Sequence, residues 1–532
     1  MDRICVKTWW GEHKQEILLA LMASLVAFGV MLTCPTIGID EEKSILAGEG
    51  YGPWIAQGRF GIQMFNELFT VNGRYVPFLW DFLAVCVWFF SGVVSAFTLL
   101  EEDGEKTGRF ELFIFLTYYT TLPFVVGEIL SFSMFNLQVA LGMASASLAF
   151  AFTARYLKYK EDKHAAKREL LLSILLLTYG VAVYQAILSL YITSAVVYCL
   201  RKVLRGELAI WENILRPAFI SFISVALYYG MNFVVQAFTG HEANYTESYI
   251  GWFEDSSIFH AAFMAAANVA RVSFGITIEE VSIYGGVVIM VTTLMFIAWS
   301  VYVFAMAKEK GARIRLLFLT VALVVSPFIM FILMGTYKTH GRMLLALPLA
   351  GAMEICFVLE TLGVSCKAGR RKIFFRYAAM GLAGYLIFLN VRNMNTLYYY
   401  DAVRYHKDQV TANVVMHDIS ALGYDYKAKP IVFVGAYEMD TSGFFDSSDN
   451  VGIDGSMFGW NGGHIARIRE LLVTEGYMTL QPGTEEIARA LEYTKDMAPW
   501  PKPGSIVETE GSIIVYFSEP SEDWYNVNGV SR

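Results

Sequence analysis

Apolar runs long enough to cross a bilayer recur through the first 390 residues of this chain, and they constrain its fold more than any other feature. A hydrocarbon core takes roughly 20 apolar residues per helix and offers no water to unpaired backbone groups. The runs predict membrane helices near 16–36, 78–100, 111–130, 132–154, 214–238, 284–307, 316–334, 343–362 and 377–391. The apolar stretch 170–200 is too long for one span, and Gly180 with the polar step Tyr184-Gln185 offers a break. It reads as a tight hairpin of two short helices, which brings the expected total to eleven. Composition agrees: 55% of residues are hydrophobic and 17% charged, against about 25% charged in soluble proteins.

Basic residues test this topology, because cytoplasmic loops retain them. With the N-terminus inside, the cytoplasmic segments 1–15, 101–110, 155–169, 201–213, 308–315 and 363–376, with Arg216, hold 24 Lys and Arg. The outer loops hold six: Lys43, Arg59, Arg74, Arg271, Lys338 and Arg342. Merging 170–200 into one span would turn the basic 201–205 outward, so the bias favours the hairpin. The expected architecture is a polytopic α-helical membrane domain, 1–390, with large outer loops 37–77 and 239–283.

The tail, 391–532, is a different kind of chain, with 11 basic against 20 acidic residues and no cysteine. The remainder is close to neutral, so the formal charge of −8 belongs to the tail. Neither part is basic enough to suggest a nucleic-acid partner. Helical patterns at 398–422, 461–475 and 484–496, and strand patterns at 430–435 and 512–517, predict a small α/β domain. Eleven spans put it on the extracytoplasmic side. Core packing rather than disulfides would hold it together. Its loop 435–464, rich in Gly, Asp and aromatics, is a candidate sugar-binding segment that also reads as ordinary turns. The sequence carries no CxxC pair or HExxH motif, so no metal or other cofactor is expected.

Candidate chemistry concentrates in the loop after the first span. Asp40-Glu41-Glu42 stand at the outer boundary, followed by Trp54-Ile55-Ala56-Gln57-Gly58-Arg59-Phe60, an aromatic segment suited to the interface. Acids beside aromatics and a guanidinium suit transfer to a hydroxyl. One carboxylate takes the acceptor proton, while a cation stabilises a departing phosphate. Lys338, His340 and Arg342 fall within five positions and form a candidate phosphate-binding cluster, which Arg59 could join; Arg271 is weaker. Glu254, Asp255 and His260 are candidate sugar contacts, and Gln185 either pairs internally or lines a cavity. Singly, each of these also suits a solvated face or a headgroup anchor.

A first span, an outer acidic pair and an interfacial W-I-x-Q-G-R-aromatic segment, here Trp54–Phe60, resemble the bacterial serotype-converting glucosyltransferases of Gtr type II, within the GT-C superfamily. The residue-level resemblance covers 37–61, and the layout of spans extends it across the membrane part. It implies transfer of a hexose, glucose by analogy, from a polyprenyl-phosphate sugar to a cell-envelope glycan such as O-antigen. The reaction would occur on the extracytoplasmic face of the bacterial inner membrane. It implies Asp40 as base with Glu41 or Glu42 as helper, and Trp54, Gln57 and Arg59 as shaping the acceptor and donor sites. Where that family often carries Asp-Asp-Glu, this chain has Asp40-Glu41-Glu42. Implied partners are the lipid-linked donor, the glycan acceptor, membrane lipid, a donor-synthesising transferase and a flippase. Two rivals belong to other classes. A carrier for an envelope glycolipid would be expected to hold ionisable groups near the bilayer midplane. A non-catalytic envelope scaffold would work through the tail.

Overall fold

The computed structural model describes residues 3–46, 52–70, 74–101, 108–159, 162–207, 209–241, 252, 258–276, 283–334, 340–363, 370–437 and 455–531. The chain divides into two compact units. One comprises Met1–Thr33 and Glu49–Leu397; the other comprises Cys34–Gly48 and Tyr398–Arg532. The expected boundary at 390/391 thus falls at 397/398. The acidic loop, assigned above to the membrane part, belongs with the tail, and it takes Cys34 with it.

In the first unit, eight described helices are long and apolar enough to cross a membrane. They are Leu79–Leu100, Arg109–Leu130, Asn136–Lys158, Ile187–Leu204, Trp211–Thr239, Gly286–Met306, Lys310–Met334 and Ile373–Ala421. The last lies within the helix Arg370–Ala421, whose residues from Tyr398 onward belong to the second unit. Helices also occupy Arg3–Ala27, Lys163–Val183 and Leu347–Gly363, where three further spans were expected. Large side chains such as Phe222, Phe233 and Phe238 stand exposed on Trp211–Thr239, as suits a surface solvated by lipid. Polar side chains turn inward and pair between helices. The Ser91 hydroxyl lies 2.7 Å from Tyr119 Oη and 2.8 Å from Ser147 Oγ; such pairs link helices in the absence of a hydrophobic drive between them.

The stretch 170–200 does break, at Tyr184-Gln185-Ala186, between Lys163–Val183 and Ile187–Leu204. Asp162 caps the first of these helices, accepting from the His164 and Ala165 amides at 3.0 Å. The helix Phe60–Phe69 docks on the break through Gly61. A β-carbon at Gly61 would lie 2.8 Å from both the Ala182 carbonyl carbon and the Val183 nitrogen. Only glycine allows the two backbones to approach so closely.

The second unit is built on a three-stranded sheet in the order β1 (Ile431–Val434), β3 (Ile513–Tyr516), β2 (Ile506–Glu508). β1 runs parallel to β3, pairing Ile431 with Ile513, and β2 is antiparallel to it. Val432, Phe433, Ile514 and Val515 are fully buried, as the apolar runs require. The helices Ile465–Thr474, Thr484–Tyr493 and Glu522–Asn528 complete the unit with residues 398–421. Trp524, fully buried, donates its indole N–H to the Phe433 carbonyl at 3.2 Å. β2 and the last helix have no counterpart in the sequence expectations above.

Residues 34–48 enter this unit by two means. Ile37 and Ile39 join its hydrophobic core. Polar bonds then fix the backbone: Thr36 donates to Asp401, and Arg404 donates to the Ile37 carbonyl at 3.1 Å. Arg404 is held in turn by Asp401 at 2.8 Å and by fully buried Asp408 at 3.2 Å. Asp408 also accepts from the Ser456 hydroxyl at 2.6 Å and the Met457 amide at 3.1 Å.

Candidate active site

The acidic loop forms a turn closed by the Glu41 amide donating to the Gly38 carbonyl at 3.2 Å. Asp40 occupies the corner with φ +75°, a backbone region that Asp and Asn tolerate better than most residues. The three carboxylates then separate in role. Glu41 is buried and its Oε2 accepts from the Gly38 amide at 2.8 Å, bracing the turn. Glu42 is fully buried and its Oε1 pairs with Arg467 Nη1 at 2.7 Å. Asp40 is the accessible one, its side chain 51% exposed, with Oδ1 accepting from Arg467 Nη2 at 2.6 Å.

Arg467 sits on the helix Ile465–Thr474 beside Glu470, with His464 at its N-cap. Burial pushes the Glu42 carboxyl above its ordinary value, and Arg467 opposes that shift in part. Burial works against the Arg467 charge, yet the Asp40 and Glu42 carboxylates raise it above its ordinary value. Burial, with help from Arg467 and Lys43, lowers His464 below its ordinary value. Burial raises Glu470, opposed by Lys43, Arg469 and Arg467. Among the described residues, four buried polar atoms here lack a hydrogen-bond partner: Glu42 Oε2, His464 Nδ1, Arg467 Nε and Glu470 Oε2.

The interfacial segment forms a polar elbow in the first unit. Gly58 turns the chain at φ +68°, and a β-carbon there would lie 2.6 Å from Tyr228 Oη. Tyr228 donates to the Gly58 carbonyl at 2.9 Å, while Gln185 Nε2 donates to the Gln57 carbonyl at 2.9 Å and to Tyr228 Oη at 3.0 Å. Gln185 is thus a paired polar group that fixes the elbow. The Arg59 guanidinium lies over the Tyr184 ring, 4.4 Å from its centroid. Among the described residues, its Nε, Gln57 Oε1, Asn232 Oδ1 and Gln236 Nε2 are buried without partners. Trp54 is 3% exposed and packs edge-on against Phe135, so packing rather than sugar stacking occupies its indole.

The remaining candidates are dispersed. Arg342 pairs with Glu128, Nη1 to Oε1 at 3.1 Å, and lies over the Phe132 ring. A phosphate there would compete with a carboxylate. His340 is half-buried and precedes the turn Gly341–Met343, at its N-cap position. His260 is exposed in the first turn of Ile258–Ser273, which also carries Arg271. Lys338, Glu254, Asp255 and most of the loop 435–464 lie outside the described residues. Among the described residues, no group of three or more His, Cys, Asp or Glu side chains is assembled that could hold a metal ion.

Residues 29–391, more than half of the chain, match the family described as Glucosyl transferase GtrII. The chain belongs to the GtrII glucosyl transferase family. The resemblance read from residues 37–61 therefore holds, and the protein is a glycosyltransferase with helices long and apolar enough to cross a membrane. No curated protein and no solved structure matches it significantly. The GtrII match includes the acidic turn and the elbow but stops before Arg467 and His464. Sequence reasoning missed these two, together with Tyr228 and Asn232. Arg467 is one of two basic residues on an amphipathic helix, more than 400 positions from Asp40 and Glu42. The Tyr228/Asn232/Gln236 spacing places three polar groups on one face of a membrane helix, and that signal was readable.

Proposed function

We propose that this GtrII transferase moves a hexose, glucose by family, from a polyprenyl-phosphate sugar to a cell-envelope glycan such as O-antigen. In this reading it is a GT-C-type enzyme of the bacterial inner membrane. Its N-terminus is cytoplasmic, and its second unit and acidic turn are extracytoplasmic, as the basic-residue bias supports. Transfer is a single displacement that inverts the anomeric carbon. The acceptor hydroxyl oxygen forms the new bond to C1, the bond from C1 to the phosphate oxygen breaks, and its electron pair leaves with the lipid phosphate. The hydroxyl proton passes to a carboxylate.

Asp40 is that carboxylate. The observation that carries the assignment is its exposure. Glu41 and Glu42 are buried and engaged, while Asp40 Oδ2, on an accessible side chain, has no hydrogen bond among the described residues. Arg59 is the cation for the donor phosphate. Its guanidinium makes no ion pair among the described residues, whereas Arg342 is neutralised by Glu128. Gln57 serves the sugar hydroxyls. His340, Lys338, Glu254, Asp255 and His260 are secondary candidates for the two substrates.

The test compares Asp40→Asn with Glu41→Gln in cells whose envelope polysaccharide is weighed by mass spectrometry. Asn tolerates the positive φ, so the turn survives the exchange. Loss of one hexose per repeat in Asp40→Asn is expected. An unchanged polysaccharide in both variants, with normal membrane insertion, would sink the assignment.

A further inference from the structure

We propose that Arg467, on the helix Ile465–Thr474 of the second unit, is a positioning residue that holds Asp40 in the orientation needed for proton transfer. The inference rests on Asp40 being the base. It assigns the second unit a part in the reaction that the family match, ending at residue 391, does not include.

An exposed aspartate turns freely about two side-chain bonds, and a general base is effective only when its acceptor lone pair meets the hydroxyl. The guanidinium removes that freedom. Its Nη2 holds Asp40 Oδ1 at 2.6 Å and leaves Oδ2 as the open acceptor. The guanidinium must itself be fixed to do this, and Glu42 fixes it. Glu42 is fully buried, and its Oε1 takes Nη1 at 2.7 Å. The order is a buried acid, a planar cation with two prongs, and an exposed acid. A planar fork suits this geometry, and the point charge of lysine does not reproduce it.

The surroundings fit a preorganised group. The turn places Asp40 at φ +75°, strain of the kind that clusters at working sites. Thr36, Ile37 and Ile39 fasten the turn to the same unit that carries Arg467, through Asp401, Arg404 and the core. Among the described residues, the buried Glu42 Oε2 and Arg467 Nε have no hydrogen-bond partner.

The experiment uses full-length protein in membranes, polyprenyl-phosphate glucose as donor and lipopolysaccharide from cells lacking this protein as acceptor. Glu42→Gln is compared with the double variant Glu42→Gln/Arg467→Met, which leaves no unpaired buried charge, and Arg467→Lys is measured separately. Protease resistance of residues 398–532 certifies the fold. Relative to Glu42→Gln, the double variant should lose about tenfold to a hundredfold in kcat with donor KM within twofold, and Arg467→Lys should keep part of the rate. A folded double variant with the kcat of Glu42→Gln overturns the proposal, as does a rise in donor KM without loss of kcat. If the double variant proves unstable, Arg467→Lys decides alone: full wild-type kcat overturns the proposal, and a partial loss at constant KM supports it. Asp40→Asn separates the two ideas. Activity in Asp40→Asn removes the base itself, whereas an inactive Asp40→Asn beside an undiminished double variant removes only the positioning role.

Discussion

Replacing Arg467 by Met should loosen the second unit, and the loss should depend on pH in a direction that the structure sets. Glu42 is fully buried and Arg467 is 14% exposed at the side chain, so the pair is largely withdrawn from solvent. Removing one partner of a buried ion pair costs about 3–5 kcal/mol, because the other charge stays buried and uncompensated. Glu42 can escape that cost by taking up a proton. Its carboxyl already sits above its ordinary value of 4.5 through burial, and Arg467 is the largest influence opposing that shift. Without Arg467 the value rises further. A group whose folded value is raised contributes stability that is complete below the unfolded value and is lost as pH rises through the folded one. The deficit of Arg467→Met against wild type should therefore be small near pH 5 and largest near pH 8. Limited proteolysis of the full-length protein in membranes, following cleavage within 398–532, reads the open population. At pH 8 it should rise by roughly two to four orders of magnitude. Adding Glu42→Gln should restore most of the resistance. A deficit equal at both pH values, and untouched by Glu42→Gln, would refute the reasoning.

Three further outcomes concern Gly58, Arg59 and Arg342. Gly58→Ala would force a β-carbon within 2.6 Å of Tyr228 Oη at φ +68°. The backbone alone costs about 1–2 kcal/mol, so thermostability in detergent and transfer rate should both fall, and an unchanged rate would free the elbow from any role. Arg59→Ala should raise donor KM by about tenfold to a hundredfold, the worth of a charged hydrogen bond. Arg342→Ala should instead lower thermostability by about 1–2 kcal/mol, since it strands a partly exposed Glu128. Kinetics and melting of the two variants side by side would expose a reversed pattern.

Legibility followed the range of the forces involved. Spans were readable because a bilayer demands a local property, about twenty apolar residues in a row. The break at Tyr184–Ala186 was readable because a polar step inside such a run is equally local. The short strand Ile506–Glu508 was not, since three residues carry too little pattern and owe their extension to pairing with Ile513–Val515. Around the acidic turn and the elbow, the sequence singled out Asp40, Gln57 and Arg59 as candidates. It ranked Glu41, Glu42, Trp54 and Arg342 beside them because residue type says nothing of burial or of distant partners.

What the amino-acid sequence determined alone is the class of molecule: a chain dissolved in lipid, biased in charge across its loops, with an acidic tail and a Trp54–Phe60 segment of GtrII type. What tertiary structure decided is allegiance. Residues 34–48 follow the first span in the chain, yet they fold with a tail that begins some 350 positions later. Ile37 and Ile39 find their core there, and Asp40 finds its arginine. Burial and ion pairing act through space, and the separation of residues along the chain does not record them.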